Sequence, residues 1–325
     1  MAVTLIATGG TIASTRGADG RVTATLDGAD LLAGLPLEVD VDVVEHRVAG
    51  SWNLTTALAA DVALLARRAL EAGADGVVIT HGTDVLEETA WLAELLVRPD
   101  SDAPVVLTAS MRHASEFGGD GPRNLLDAVR AAADPASRGR GALVCVNGEL
   151  HHARWVTKTH ATALATFESP GRGPVGEVGE ASVRFFAPSP VAPPRSEEPP
   201  AGQVPILCSH WDADPDLVDW HLSRGADGLV VEASGAGNVN RDLAAGLMGA
   251  LERGVPVVVA SRCRRGEPTP IYGGDGGFAT LHAAGARSSH GLTAGKARLA
   301  LQLALGNAGA SGAVAELFER LAEPG

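Results

Sequence analysis

Short apolar, β-branched runs alternate with longer Ala/Leu-rich stretches along most of the chain. Val3–Ala7, Asp40–Glu45, Gly76–Thr80 (GVVIT), Val105–Thr108 and Leu143–Val146 read as strands. Between them lie helical patterns over Thr55–Ala72, with Asn53 or Thr55 as cap, Leu86–Leu96, with Pro99 just beyond, and Gly121–Ala133. Strands that are apolar on both faces and alternate with helices of ten or more residues predict βαβ units and a parallel sheet covered on both sides. The pattern stops at Ala187 and resumes near Pro205. The intervening APSPVAPPRSEEPPAGQV has six prolines between Pro188 and Pro200 and no apolar period. Proline at that density makes an extended, stiff connector. Beyond it the alternation restarts with strands Pro205–Cys208, Gly228–Val231 and Val257–Ala260. Helices are expected near Pro215–Ser223, Arg241–Arg253, Thr293–Leu305 and Gly312–Leu321, and an irregular segment over Gly273–Gly277.

Residues 1–186 and 205–325 are therefore expected to be two α/β domains, the first larger, joined by a linker over 187–204. The segments GADGVVIT (Gly73–Thr80) and GADGLVVE (Gly225–Glu232) are near-identical. Their separation is too long for a repeat array, so they indicate the same helix-to-strand turn used once in each domain.

Composition narrows the function. A chain of 325 residues with 45% hydrophobic and 20% charged residues is globular. Lys+Arg 26 against Asp+Glu 39 leaves a formal charge of −13, which argues against nucleic acid or an anionic membrane as partner. Cys145, Cys208 and Cys263 show neither metal-ligand nor disulfide spacing. No apolar run is long enough to span a bilayer and MAVTLIATGG has no basic leader, so a cytoplasmic protein is expected.

Ligands of open parallel sheets bind beyond the carboxyl ends of the strands. Three such ends carry small or hydroxyl residues: Thr8-Gly9-Gly10-Thr11, His81-Gly82-Thr83-Asp84 and Ala109-Ser110. Glycines admit a ligand close to main-chain amides, and a threonine offers a hydroxyl nucleophile or donor, although Gly-Gly-Thr also suits a plain turn and helix cap. A hydroxyl needs a base. Lys158, in WVTKTHATALATF, is a candidate because a lysine desolvated among apolar residues falls from ~10.4 toward ~7–8; a solvated surface charge is the alternative. His81 reads as a hydrogen-bonded structural histidine. His151, His152 and His160 lack metal-ligand spacing and read as loop residues. Asp212, Asp214, Asp216 and Asp219 fit a loop and a solvated helix start. Arg262, Arg264 and Arg265 suit either an interface or a solvated loop.

ATGGTIAS (Ala7–Ser14) and THGTDVLEETA (Thr80–Ala90) resemble the two signature segments of the bacterial-type L-asparaginase/glutaminase family. The likeness continues in order through ASMR…DGPRNLLDAV (Ala109–Val129), VTKT…ATF (Val156–Phe167), GAGNVN (Gly235–Asn240) and KARLALQLAL (Lys296–Leu305). It implies a large N-terminal and a smaller C-terminal α/β domain, a threonine nucleophile at Thr11, and a second triad of Thr83, Asp84 and Lys158. It further implies substrate contacts at Gly10, Ser51 and its neighbour Trp52, Gly82, Thr83, Asp84 and Ser110. Asn240 would reach in from a partner subunit of a dimer or tetramer. The implied partner is a small asparagine-like amide, and the resemblance implies no metal or cofactor.

Three departures accompany the resemblance. Many members carry a tyrosine on the loop after the first motif; the one tyrosine here is Tyr272, and Val22 or a neighbour stands in the loop instead. Trp52 follows Ser51 where glutamine is common. No glutamate lies between Ile271 and Lys296, where many members supply an acid from the second subunit. Hydrolysis of the L-asparagine side-chain amide is the leading expectation. An N-modified, D- or larger amide, or a non-catalytic sensor of asparagine or aspartate, are the competing ones.

Overall fold

The computed structural model describes residues 1–46, 50–97, 102–180, 182–188, 196, 198–307 and 310–322. The chain divides into two compact units, Met1–Arg195 and Ser196–Pro324. Part of the expected connector, 189–195 and 197, lies outside the described residues, as does Pro99.

Strands and helices are numbered in chain order. The first unit holds an eight-stranded sheet. Its parallel part consists of β1 (Ala2–Ala7), β4 (Asp40–Glu45), β5 (Gly76–Thr80), β6 (Val105–Thr108) and β7 (Ala142–Val146). Three antiparallel strands, β8 (Glu149–His152), β11 (Gly176–Val178) and β12 (Val183–Phe185), extend one edge, giving the order β12-β11-β8-β7-β6-β5-β1-β4. The sheet is mixed, not purely parallel. The reversal comes at Asn147-Gly148, whose φ values of 53° and 78° suit the tight turn that returns an antiparallel strand. This turn corrects the reading of His151 and His152 as loop residues. Both lie on β8 and are buried, and burial lowers the His151 pKa from its ordinary value while Glu149 opposes the shift. His160 is in an exposed loop.

Helix α4 (Gly121–Ala133) covers one face, packing Leu125, Ala128, Val129 and Ala132 on Val3, Leu5, Val78, Val106 and Leu143. Helices α2 (Thr56–Glu71) and α3 (Leu86–Leu96) cover the opposite face, and α1 (Gly28–Leu32) lies beside β4. Thr55 caps α2 by accepting the Leu58 N–H at 3.2 Å. Two small hairpins sit outside the main sheet: β2 (Ser14–Arg16) with β3 (Val22–Ala24), and β9 (Thr157–Lys158) with β10 (Phe167–Glu168).

The second unit has an all-parallel sheet, β13 (Ile206–Cys208), β14 (Leu229–Ala233), β15 (Val257–Ser261) and β16 (Arg287–Ser288), in that order. Helices α5 (Asp216–Ser223), α6 (Arg241–Glu252) and α7 (Phe278–Ala283) build one core against it, while α8 (Ala294–Gly306) and α9 (Ala310–Leu321) pack together, α8 lying on β14 and β15. Short β16 and α7, like the hairpins and the antiparallel edge, carry too few periodic positions to be legible as sequence.

The repeated GADG turn has the same geometry in each unit. The Asp75 carboxylate accepts the Ala2 N–H at 2.9 Å and its own N–H donates to Ala2 O at 2.8 Å. Asp227 repeats this with Gln203, at 2.8 and 2.9 Å. Each aspartate thus ties the start of one central strand to the segment leading into its neighbour. The glycine that follows meets different surroundings. A Cβ on Gly76 would drive into the carbonyl oxygen of Ala132, whereas one on Gly228 would meet the mobile tip of Leu301 at 2.9 Å. Gly76→Ala is expected to cost about 3 kcal/mol and Gly228→Ala about 1 kcal/mol or less. Urea unfolding of the two variants checks the difference; equal costs would mean that α4 yields as readily as a leucine side chain.

Candidate active site

The first strand-end loop is shaped by what it must approach. Gly10 has φ 85°, and a Cβ there would lie 2.6 Å from both Gly82 N and His81 O. Only glycine allows that contact. The Thr8 hydroxyl donates to Thr80 O at 2.6 Å, so the carboxyl ends of β1 and β5 are joined by a side chain as well. Ser14 Oγ and Ala13 N both donate to Gly10 O, at 2.8 and 3.1 Å, which closes the single turn Thr11–Ala13. Thr11 and Thr83 thereby flank a direct main-chain contact between the two loops.

Ser51 occupies the other side of the same contact. It is buried in the turn Ser51–Asn53, and a Cβ on Gly82 would lie 2.5 Å from its Oγ. Gly10, Gly82 and Ser51 therefore form a row with no side chain between them. Trp52, next in sequence, does not join that row: it is 72% exposed and its ring folds back over Gly50.

Thr83, Asp84 and Lys158 are brought together. Lys158 Nζ donates to Thr83 Oγ1 at 2.9 Å and to Asp84 Oδ1 at 2.8 Å, with the lysine side chain 15% exposed and Asp84 half exposed. The apolar surroundings expected for this lysine are replaced by a hydroxyl and a carboxylate. The reason is β9, which carries Lys158 to the start of α3 rather than into the core. Glu87, in the first turn of α3, fixes that approach by accepting the Lys158 N–H at 2.7 Å. Sequence reasoning missed Glu87, although it stands three residues after Asp84 within a quoted motif.

His81 is fully buried beneath the loop. Its Nδ1 donates to Gly82 O at 2.7 Å, which leaves Nε2 to accept from the Thr89 hydroxyl at 3.0 Å. Desolvation lowers its pKa to about 4, with the Gly82 hydrogen bond opposing the shift. It is a neutral structural ring at ordinary pH. Ser110, at the end of β6, donates its hydroxyl to Arg112 O at 2.7 Å and lies near Gly121 with Ile12, the residue after Thr11.

Asn240 belongs to the second unit, and its side chain is occupied there. Oδ1 caps α6 by accepting the Leu243 N–H at 2.7 Å, while Nδ2 donates to His210 O at 3.0 Å, with Trp211 O and Ala213 O at 3.3 Å. Among the described residues, no group of three or more His, Cys, Asp or Glu is placed to hold a metal ion. None of the described helices is long and apolar enough to cross a membrane.

The buried His81 gives stability a pH dependence of known sign. Between its ordinary 6.5 and the folded value of about 4, the unfolded chain binds a proton that the folded one refuses. The stabilisation is complete above that window and is lost as pH falls through it, by about 3 kcal/mol in all. In His81→Asn, which keeps a donor for Gly82 O, denaturant unfolding should show a shallower acid loss; equal slopes would place the titration elsewhere.

Comparison with known proteins matches the two units to two family models. Asparaginase, N-terminal, matches residues 2–191, and Glutaminase/Asparaginase C-terminal domain matches 203–318. A probable L-asparaginase of Deinococcus radiodurans is 42% identical over 316 residues, covering 94% of this chain and 93% of that protein. An L-asparaginase of Bacillus licheniformis is 31% identical over 307 residues, covering 93% and 95%. The crystal structure of a probable cytoplasmic L-asparaginase from Campylobacter jejuni superposes with a TM-score of 0.84 at 29% identity, covering 98% of each chain. With both domain models matched in order and relatives aligned over nearly their whole length, the chain belongs to the asparaginase family.

Proposed function

We propose that this enzyme hydrolyses the side-chain amide of L-asparagine to L-aspartate and ammonia, with Thr11 as nucleophile. The observation that carries the reading is the Lys158–Thr83–Asp84 cluster, set one residue from the contact between the Gly10 and Gly82 main chains. Thr11 Oγ adds to the amide carbon, and collapse of the adduct breaks the C–N bond. The departing nitrogen takes a proton and leaves as ammonia. Water then adds to the Thr11 ester, the ester bond breaks, and the threonine oxygen recovers its proton. Lys158 and Thr83 supply the proton relay, and Asp84 holds the lysine in register. Main-chain N–H groups at the strand ends, including those about Gly10, Gly82 and Ser110, stabilise the oxyanion. Ser51 and the Gly82–Thr83 main chain hold the α-carboxylate, a role supported by the Ser51–Gly82 packing.

A homo-oligomer is part of this reading. It is supported by Trp211, Ile271 and Tyr272, large apolar side chains left exposed on the second unit. Asn240 serves such an assembly by bracing the 210–213 loop rather than by offering a free amide. A cytoplasmic setting is supported by three free cysteines, two of them exposed.

Thr11→Ala should abolish ammonia release in a folded protein, and Lys158→Met should lower kcat about 10²- to 10⁴-fold. Activity in Thr11→Ala within a few-fold of the unaltered enzyme would exclude it as nucleophile.

Selectivity follows from Trp52. Its indole points to solvent where a glutamine amide would hold the substrate ammonium, leaving Asp84 as the remaining anionic partner. One charge-assisted hydrogen bond lost at about 1.4 kcal/mol is a factor of about ten in discrimination. The preference for L-asparagine over its α-N-acetyl and des-amino analogues, read as kcat/KM, should therefore stay below about 10⁴. A larger ratio would show that other residues bind the ammonium.

A further inference from the structure

The segment DGPRN, at the start of α4, is part of the family likeness but has no role in the chemistry above. Two of its polar side chains, Asp120 and Asn124, are directed at main chain. Asp120 uses both carboxylate oxygens on the loop after β6: Oδ2 accepts the Met111 N–H and Oδ1 the Arg112 N–H, each at 2.9 Å. Asn124, one helical turn on and buried, donates from Nδ2 to Ala109 O at 2.9 Å and to Asp120 Oδ2 at 3.2 Å. Its Oδ1 accepts the Asn147 N–H at 2.9 Å, so the turn between β7 and β8 is fastened to the same point.

The two side chains thus grip the main chain on both sides of Ser110. The same loop reaches the hairpin that follows Thr11. Ala114 N donates to Ser14 O at 2.8 Å and Arg16 N donates to the Ser115 hydroxyl at 2.9 Å. Gly121, directly after Asp120, sits close to both Ile12 and Ser110. One helix N-terminus therefore sets the Ser110 peptide and, through residues 114 and 115, the β2–β3 hairpin behind the nucleophile.

We infer that Asp120 and Asn124 are positioning residues for amide hydrolysis, fixing the Ser110 peptide and the Thr11 hairpin in one register relative to the scissile amide. They touch neither substrate nor reacting atoms. Carboxylate acceptors hold two successive N–H groups more strongly than neutral ones, so the register has little slack. Displacements of about an ångström at a reacting centre cost up to about 10²-fold in rate. Binding of the α-carboxylate, assigned to Ser51 and Gly82 on the loops after β4 and β5, does not pass through this grip. The inference rests on the proposed roles of Thr11 and Ser110.

The test is Asp120→Asn, which keeps size but presents an amide NH2 to a main-chain N–H, together with Asn124→Asp, which removes the donor to Ala109 O. The expected result, per folded enzyme, is kcat reduced about 10- to 100-fold with the inhibition constant of the product L-aspartate changed less than about threefold. Asp120→Glu should recover part of kcat. Ser115→Ala, at an exposed position, should lower kcat by a smaller factor through the hairpin alone. If kcat per folded enzyme stays within about twofold, or falls in step with product affinity, the positioning role is refuted. Failure of both α4 variants to fold, with Ser115→Ala fully active, would assign the grip to stability and refute it equally. If Thr11→Ala remains active, the reading of the site fails; if Thr11→Ala is inactive while Asp120→Asn is normal, only this inference fails.

Discussion

Two loops from neighbouring parallel strands meet where no side chain fits, and the rest of the site is arranged around that contact. The Gly10 main chain lies against the His81–Gly82 peptide, and Ser51 packs against Gly82 from the other side. The candidate catalytic groups border this row. Thr11 follows Gly10, Thr83 and Asp84 follow Gly82, and Lys158 is delivered to them by a strand outside the sheet. The buried His81 ring has both nitrogens engaged, Nδ1 by Gly82 O and Nε2 by the Thr89 hydroxyl, and so braces the row.

Several polar side chains serve to fix main chain. Glu87 fixes the approach of Lys158, Asp120 and Asn124 fix the Ser110 loop, and Asp75 and Asp227 fix corresponding strand starts in the two units. Main-chain N–H groups away from water must be paired, and where irregular loops leave them without a main-chain acceptor, side chains pair them. The acidic balance of the chain thus has a local use beyond solubility.

Much of this was legible in the sequence, for identifiable reasons. The helices Leu86–Leu96 and Gly121–Ala133 and the strands Gly76–Thr80 and Val105–Thr108 have the expected bounds, because long periodic or uniformly apolar runs constrain their own conformation, and β4 has them too, with valines at positions 41, 43 and 44. The antiparallel edge was missed, although Asn147-Gly148 is a strong hairpin signal, since the βα alternation before it favoured a purely parallel sheet. Within the site, Thr83, Asp84 and Lys158 come together as expected. The polar surroundings of Lys158 did not follow from its apolar sequence neighbours, because β9 and β10 pair at only two positions each. Asn240 illustrates the opposite limit. The resemblance implies a contact reaching into a partner's site, and in the structure the side chain caps α6 within its own unit.

The turn at Asn147-Gly148 also bears on how the first unit assembles. Joining β7 to β8 closes a loop of two residues, whereas each parallel pair must wait for a crossover helix and bring distant segments together. Hairpins form in about 1–10 μs, and non-local pairings are slower because loop closure precedes their reward. The β7–β8 pair therefore closes within neighbouring residues, whereas the strands that lead into Thr11 and Thr83 pair only across long connections. The register of the reactive loops is thus set by non-local pairing, and that of β8 by a local turn.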